Sequence, residues 1–106
     1  MTSIHVPANQ GEWLDSPDGA GRFRVLRVHK GGGATVEVAI PGGVEGRPHV
    51  HPAGEELLMV EGHVDISGTI LRAGDYLYTP PGAVHRARAL TDVRFVLVLP
   101  ALPEYL

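Results

Sequence analysis

The sequence contains no cysteine among its 106 residues. This absence excludes disulfide bonds, thiolate zinc sites and cysteine nucleophiles, so a metal site would have to use histidine, aspartate or glutamate. A chain without disulfides agrees with a reducing cytoplasm, which is the location we expect. The length corresponds to a single domain, long enough to bury one hydrophobic core.

Long apolar runs and an excess of positive charge are also missing. The longest apolar stretch, residues 95–99, is too short to cross a bilayer, and the first residues lack the basic start and apolar run of a secretory signal. The formal net charge is −3, with the arginines and lysines scattered along the chain. We therefore expect neither a nucleic acid nor a membrane as a partner.

Glycine and proline, in contrast, are abundant and divide the chain into short segments. The segments with a strand-like pattern of apolar residues are 22–29, 34–40, 55–60, 63–67 and 76–79. Residues 83–99, divided by Thr91 and Asp92, are typical of a hairpin. Many short strands separated by turn residues predict an all-β fold, either a sandwich or a closed barrel. We expect residues 1–21 to form an arm or edge strand and residues 22–106 to form the domain.

The first candidate metal ligands in the sequence form a His-x-His pair. In an extended chain, His49 and His51 point to the same side, about 7 Å apart. Glu55 has the same parity and follows a turn favoured by Pro52 and Gly54, so its carboxylate can return to the same point. A His-x-His pair alone is more often two half-exposed surface histidines than a pair of metal ligands.

A second segment favours the metal-binding interpretation. A Pro-Pro-Gly turn precedes His85, and the neighbours of the same parity, Ala87 and Ala89, are small enough to leave room for a ligand. On the other strand Leu57 and Met59 share the parity of Glu55. We expect these four apolar residues to line a pocket beside the metal, although packing in the core explains the two larger side chains equally well.

The two segments resemble the two signature motifs of the cupin superfamily. The first motif has the order Gly43, five residues, His49, one residue, His51, three residues, Glu55, six residues, Gly62. The second has the order Gly74, five residues, Pro80, one residue, Gly82, two residues, His85. The sequence His-x-His-Pro-x-Gly-Glu-Glu, followed by Pro-Pro-Gly-x-x-His, further resembles the cupin domain of ChrR-type anti-sigma factors.

This resemblance implies a small antiparallel jelly-roll β-barrel that binds one divalent metal ion. The implied ligands are His49, His51, Glu55 and His85, and the ion could be Zn, Fe(II), Mn, Ni, Co or Cu. Ala89 stands where the second motif often has asparagine. The anti-sigma factors bind their partner through a separate cysteine-containing helical domain with no counterpart here, so we do not expect sigma-factor binding.

Two main functions follow from the resemblance. One is a metal-dependent dioxygenase acting on a small, largely apolar enolisable or phenolic compound, with Glu55 as general base. The other is a non-catalytic zinc-binding or ligand-sensing module, and an isomerase or lyase is a further alternative. Leu58 and Val60 face away from the metal, and an apolar outer face favours a homodimer. Glu56, His5, His29 and His63 are expected to lie away from the site.

Overall fold

The computed structural model describes residues 2–106, which form strands, turns and loops. The strands are β1 (Leu14–Asp15), β2 (Arg22–Val28), β3 (Ala34–Ile40), β4 (His49–Val50), β5 (Glu55–Glu61), β6 (Val64–Ile66), β7 (Thr69–Leu71), β8 (Tyr76–Thr79), β9 (Val84–His85), β10 (Ala87–Ala89), β11 (Val93–Leu99) and β12 (Glu104–Tyr105). No helix among the described residues is long and apolar enough to cross a membrane.

All strand pairs are antiparallel, and they form three sheets. The large sheet has the order β1-β2-β3-β11-β5-β8, and the two small sheets have the orders β10-β6-β7 and β12-β4-β9. Residues 43–46 hydrogen bond to β10 of one small sheet, and the chain then continues into β4 of the other. This segment therefore connects the two small sheets. The all-β jelly-roll prediction is confirmed, although the hydrogen bonds do not close the sheets into one continuous barrel.

The core lies between the large sheet and the small ones. Along β5 the side chains alternate, so that Leu57 and Met59 are buried while Leu58 and Val60 are exposed. This alternation follows from the period of two in a strand. Apolar side chains from β3, β11, β6 and β10 complete the same cluster, which places β5 with one face on the core and the other on the surface.

The prediction of a hairpin within residues 83–99 was wrong. β9 and β10 pair with β4 and β6, whereas β11 pairs with β3 and β5. The turn between them crosses from a small sheet to the large one. Its side chains are held by other segments, since Asp92 accepts a hydrogen bond from the amide of Gly42 and Thr91 accepts one from the amide of His63.

Strand pairing and hydrogen bonds attach the N-terminal residues to the outer face of the large sheet. β1 pairs with β2 as an edge strand. The buried guanidinium of Arg24 donates to the carbonyl oxygens of Pro7 and Gln10, and it also donates to Glu37 at 2.7 Å. Glu37 in turn accepts a hydrogen bond from Arg94 at 2.8 Å. The arm is therefore tied to β2, and through Glu37 to β3 and β11.

Candidate metal centre

Strand pairing brings the first two histidines together. His49 in β4 lies directly opposite His85 in β9, and directly opposed residues of antiparallel strands project to the same face with their Cβ atoms about 5 Å apart. Two residues that are 36 positions apart in the chain thus become neighbours. Both imidazoles point between the sheets and are buried.

Two glycine turns position the other two residues. The carbonyl oxygen of His51 accepts hydrogen bonds from the amides of Gly54 and Gly82, at 3.1 and 3.0 Å, which joins the turn after β4 to the turn before β9. Gly54 has a φ of +76°, and a Cβ there would stand 2.7 Å from the carbonyl oxygen of Thr79. Only glycine fits this turn without strain, and Glu55 follows it immediately as the first residue of β5.

The three imidazoles form a nearly equilateral triangle. Their ring centroids are separated by 4.7 to 4.9 Å, and each pair of rings is close to perpendicular. One nitrogen from each ring lies within 4.8 Å of the others. Glu55 joins the group, since its Oε2 is 3.0 Å from Nε2 of His51 and its Oε1 is 3.3 Å from Nε2 of His85.

The contacts within this group leave polar atoms unsatisfied. Both ring nitrogens of His51 and Oε2 of Glu55 are buried without a hydrogen-bond partner among the described residues, despite the short Nε2–Oε2 distance. Such atoms cost free energy unless something else binds them. Two ligands about 2.1 Å from one ion are separated by about 3.0 Å at right angles and about 3.4 Å at the tetrahedral angle. The observed N–O distances match this range, so the residues fit a metal ion.

The contacts of His49 indicate which of its two ring nitrogens could bind an ion. Its Nδ1 lies 3.2 Å from the carbonyl oxygen of Arg47, to which it can only donate, and 3.9 Å from Oδ2 of Asp18. These contacts assign the proton to Nδ1 and leave the Nε2 lone pair for an ion, as is usual for metal-binding histidines. Three neutral imidazoles, Glu55 and a divalent ion would carry a net charge of +1, and Asp18 would offset it.

Burial also keeps His51 in the neutral form that an ion requires. The pKa of His51 is lowered from 6.5 to about 4. Burial of the ring is the largest cause; the carboxylate of Glu55 opposes it, and His85 and His49 lower the pKa further. Proton competition at this ring is therefore weak at neutral pH.

A cavity of about 270 Å³ adjoins the four residues, and apolar side chains dominate its lining. Leu57 and Ala87 line it, as do Val36 and Phe95. Two residues expected in the lining are not part of it: Met59 and Ala89 pack in the core instead. Each lies four residues beyond the nearest metal-site residue on its segment, about 13 Å further along an extended chain.

Among the cavity residues that the sequence did not predict, two carry ionisable groups. Asp18 comes from the loop before β2, and Tyr105 comes from β12, where it lies opposite His49. Burial raises the pKa of Tyr105 to about 12, with smaller contributions from the carboxylates of Asp18 and Glu55. Neither residue belongs to a recognisable motif, and only the tertiary fold brings them to the site.

Glu56 and His29 lie away from the metal centre, as expected, and two tyrosines of β8 lie on the surface. Glu56 is exposed and accepts a hydrogen bond from the hydroxyl of Tyr76. Tyr76 and Tyr78 are both 56% exposed and sit on the outer face of the large sheet. The imidazole of His29 contacts the hydroxyl of Thr35, outside the metal centre.

Comparison with known proteins bears on the family and the fold. The sequence model of the ChrR cupin-like domain matches residues 1–100, whereas no curated protein matches the chain in sequence. A candidate acetylacetone dioxygenase from Methylibium petroleiphilum PM1 superposes with a TM-score of 0.87 and 20% identity, covering 100% of this chain and 82% of that one.

Two other solved structures are similar. The acetylacetone dioxygenase of Acinetobacter johnsonii has a TM-score of 0.76 and 17% identity, covering 93% of this chain and 74% of that one. The anti-sigma factor ChrR of Rhodobacter sphaeroides, in complex with SigE, has a TM-score of 0.74 and 21% identity, covering 88% of this chain and 51% of that one. At these identities the likeness establishes the fold.

Proposed function

This chain belongs to the ChrR cupin-like domain family, and from that membership and the geometry of the site we propose that it is a metal-dependent enzyme of the oxygenase type. His49, His51, Glu55 and His85 would bind one divalent ion. The observation that carries the proposal is the pair of unsatisfied buried atoms, Nε2 of His51 and Oε2 of Glu55, beside an apolar cavity.

The cavity limits the class of substrate. Its walls are mainly alkyl and aromatic, and its polar lining comprises the four metal-site residues together with Ser16, Asp18 and Tyr105. A compound with two neighbouring oxygens on a short carbon skeleton matches both the polar and the apolar parts of this lining. A β-diketone, a hydroxyketone and a catechol are examples. A sugar phosphate does not, because the cavity supplies no cationic side chain for a phosphate.

Glu55 is the group suited to move the proton. Its carboxylate lies next to two imidazoles and within the cavity, so it can accept a proton from the acidic C–H or O–H of a bound enolisable or phenolic compound. A bound divalent ion would polarise the substrate oxygen as a Lewis acid. Leu57 and Ala87 would exclude water from the reacting atoms.

The experiment is oxygen uptake by Fe(II)-loaded protein. Acetylacetone, a hydroxyketone and catechol would be supplied in turn, with His51→Ala as the matched control that removes one proposed ligand. We expect uptake that depends on at least one compound and disappears in the variant. No uptake with any compound, from protein that retains its iron, would contradict the oxygenase proposal.

A second candidate function is a non-catalytic zinc-binding or ligand-sensing module. Four protein side chains converge on one point, and four ligands complete a tetrahedral zinc site without leaving a position for substrate. The match to the ChrR cupin-like domain favours this alternative. A visible spectrum of cobalt-substituted protein distinguishes the two, because four-coordinate cobalt absorbs intensely and six-coordinate cobalt weakly. Conversion without oxygen uptake would instead indicate an isomerase or lyase.

We also propose a homodimer in the cytoplasm. Leu58, Val60, Tyr76 and Tyr78 form an exposed patch on β5 and β8, on the outer face of the large sheet. A second copy of the chain would cover this apolar patch. Sedimentation velocity tests the dimer, and Leu58→Lys should shift it toward the monomer. Unchanged sedimentation of this variant, or a monomeric natural protein, would contradict it.

A further inference from the structure

The C-terminal residues run beside the metal centre. In β12, Tyr105 lies opposite His49 of β4, and the next amide, that of Leu106, donates to the carbonyl oxygen of Pro48 at 3.1 Å. Directly opposed residues of an antiparallel pair project to the same face. The Tyr105 ring accordingly lies 5.6 Å from the His49 ring, between centroids.

The same segment lines the cavity. Leu102 and Pro103 contribute apolar surface, whereas Tyr105 contributes a phenol. The nearby carboxylates of Asp18 and Glu55 only accept hydrogen bonds when ionised, and a phenol both donates and accepts. Tyr105 therefore brings a hydrogen-bond donor to a part of the cavity lined by two acceptors.

We propose that Tyr105 donates a hydrogen bond to an oxygen of the compound bound at the metal centre. This inference rests on the proposed function, because it assumes that an oxygen-bearing compound occupies the cavity. Tyr105 would then determine specificity: it favours a compound whose oxygen remains near His49 over an apolar compound of the same size.

The test compares natural protein with Tyr105→Phe, both loaded with zinc, which allows binding to be measured without redox turnover. Calorimetric titration with acetylacetone is the measurement. We expect the variant to bind acetylacetone about five- to tenfold more weakly, the usual effect of losing one hydrogen bond. Its zinc affinity should stay within about twofold of the natural value, since phenylalanine keeps the ring against His49.

The matched control is Tyr78→Phe, which removes a hydroxyl from the exposed outer face and should change neither affinity. Unchanged acetylacetone binding by Tyr105→Phe would overturn the inference and leave the metal site standing. Equal losses of zinc and acetylacetone affinity would also overturn it, since they would indicate a structural role. A zinc-loaded natural protein that fails to bind acetylacetone would contradict the substrate class of the proposed function, and this inference with it.

Discussion

Nε2 of His51 and Oε2 of Glu55 lie 3.0 Å apart, and neither makes a hydrogen bond to any residue from 2 to 106. Both side chains are almost completely buried, at 1% and 3% exposure. In a packed interior, polar atoms this close would be expected to orient toward one another. A bound ion would give their lone pairs a common target and would satisfy both buried atoms.

The stability of the metal-free protein should depend on pH through His51. The unfolded chain protonates this ring near pH 6.5, whereas the folded protein does so only near pH 4. The folded state therefore binds fewer protons between these values, and the stabilisation present above pH 6.5 is lost as the pH falls toward 4. Urea unfolding in the presence of a chelator, at pH 7 and at pH 4.5, measures this loss.

His51→Gln should reduce the difference between the two pH values, because glutamine does not titrate. The matched control is His63→Gln, which alters an exposed histidine and should leave the difference unchanged. If the free energy of unfolding depends equally on pH in natural protein and in His51→Gln, burial of this ring does not govern the loss of stability in acid.

Replacing Glu55 by glutamine should separate metal binding from proton transfer. Glutamine keeps the size of the side chain but removes the charge and the basic oxygen. We expect zinc affinity to fall by at least about tenfold, and turnover at saturating metal to fall by about 10²- to 10⁴-fold, the usual contribution of a general base. Zinc titration and steady-state kinetics provide the two measurements.

Glu56→Gln is the control for this prediction, because Glu56 is exposed and follows Glu55 directly. It should behave like natural protein in both measurements. Full turnover by Glu55→Gln at saturating metal would exclude Glu55 as the base and leave it at most a ligand.

Filling the cavity should weaken substrate binding without disturbing the metal. Ala87 lines the cavity two residues after His85, and a leucine there adds three carbon atoms to its wall. We expect Ala87→Leu to raise the KM for acetylacetone or a larger β-diketone by roughly tenfold or more, since a blocked site loses the apolar contacts of the ligand. Zinc affinity should change little.

Arg88→Leu introduces the same side chain at the next residue, on the exposed side of β10. It should leave the KM unchanged. If the two variants have the same KM, the cavity is not the substrate site.

Local geometry was sufficient to predict the first half of the histidine cluster. Parity along a strand places His49 and His51 on one side, and the Pro-Pro-Gly turn before His85 identifies the second segment. The family resemblance implied that His85 joins them, whereas the direct pairing of His49 with His85 is seen only in the structure. The false hairpin at 83–99 arose because β10 and β11 look like sequential partners, while partner choice depends on which sheets lie nearby.

Sequence patterns could not predict that Asp18 and Tyr105 lie beside the metal centre. A Ser-Pro-Asp-Gly segment and a short C-terminal tail are typical of surface loops, and only the completed fold places them against His49. The same holds for the buried ion pair between Arg24 and Glu37, at 2.7 Å. Both residues sit at polar positions of strands, which ordinarily face solvent, and the N-terminal arm contacts Arg24.

This ion pair should be important for stability. Glu37→Ala leaves the buried guanidinium of Arg24 without its counter-charge, and breaking a buried pair from one side costs about 3–5 kcal/mol. Glu61→Ala removes an exposed partner of Arg94 and should cost less than about 1 kcal/mol. Urea unfolding at pH 7 compares the two, and equal losses would mean that the Arg24–Glu37 pair is not protected from solvent.

Binding of one divalent ion by four side chains is tested most directly by a competitive zinc titration of chelator-treated protein, with elemental analysis of the product. We predict one zinc per chain for natural protein and for His63→Ala. His85→Ala should bind at least about a hundredfold more weakly, since it loses a ligand and leaves Glu55 with one fewer partner. Zinc binding that is absent from natural protein, or undiminished in His85→Ala, would contradict the account.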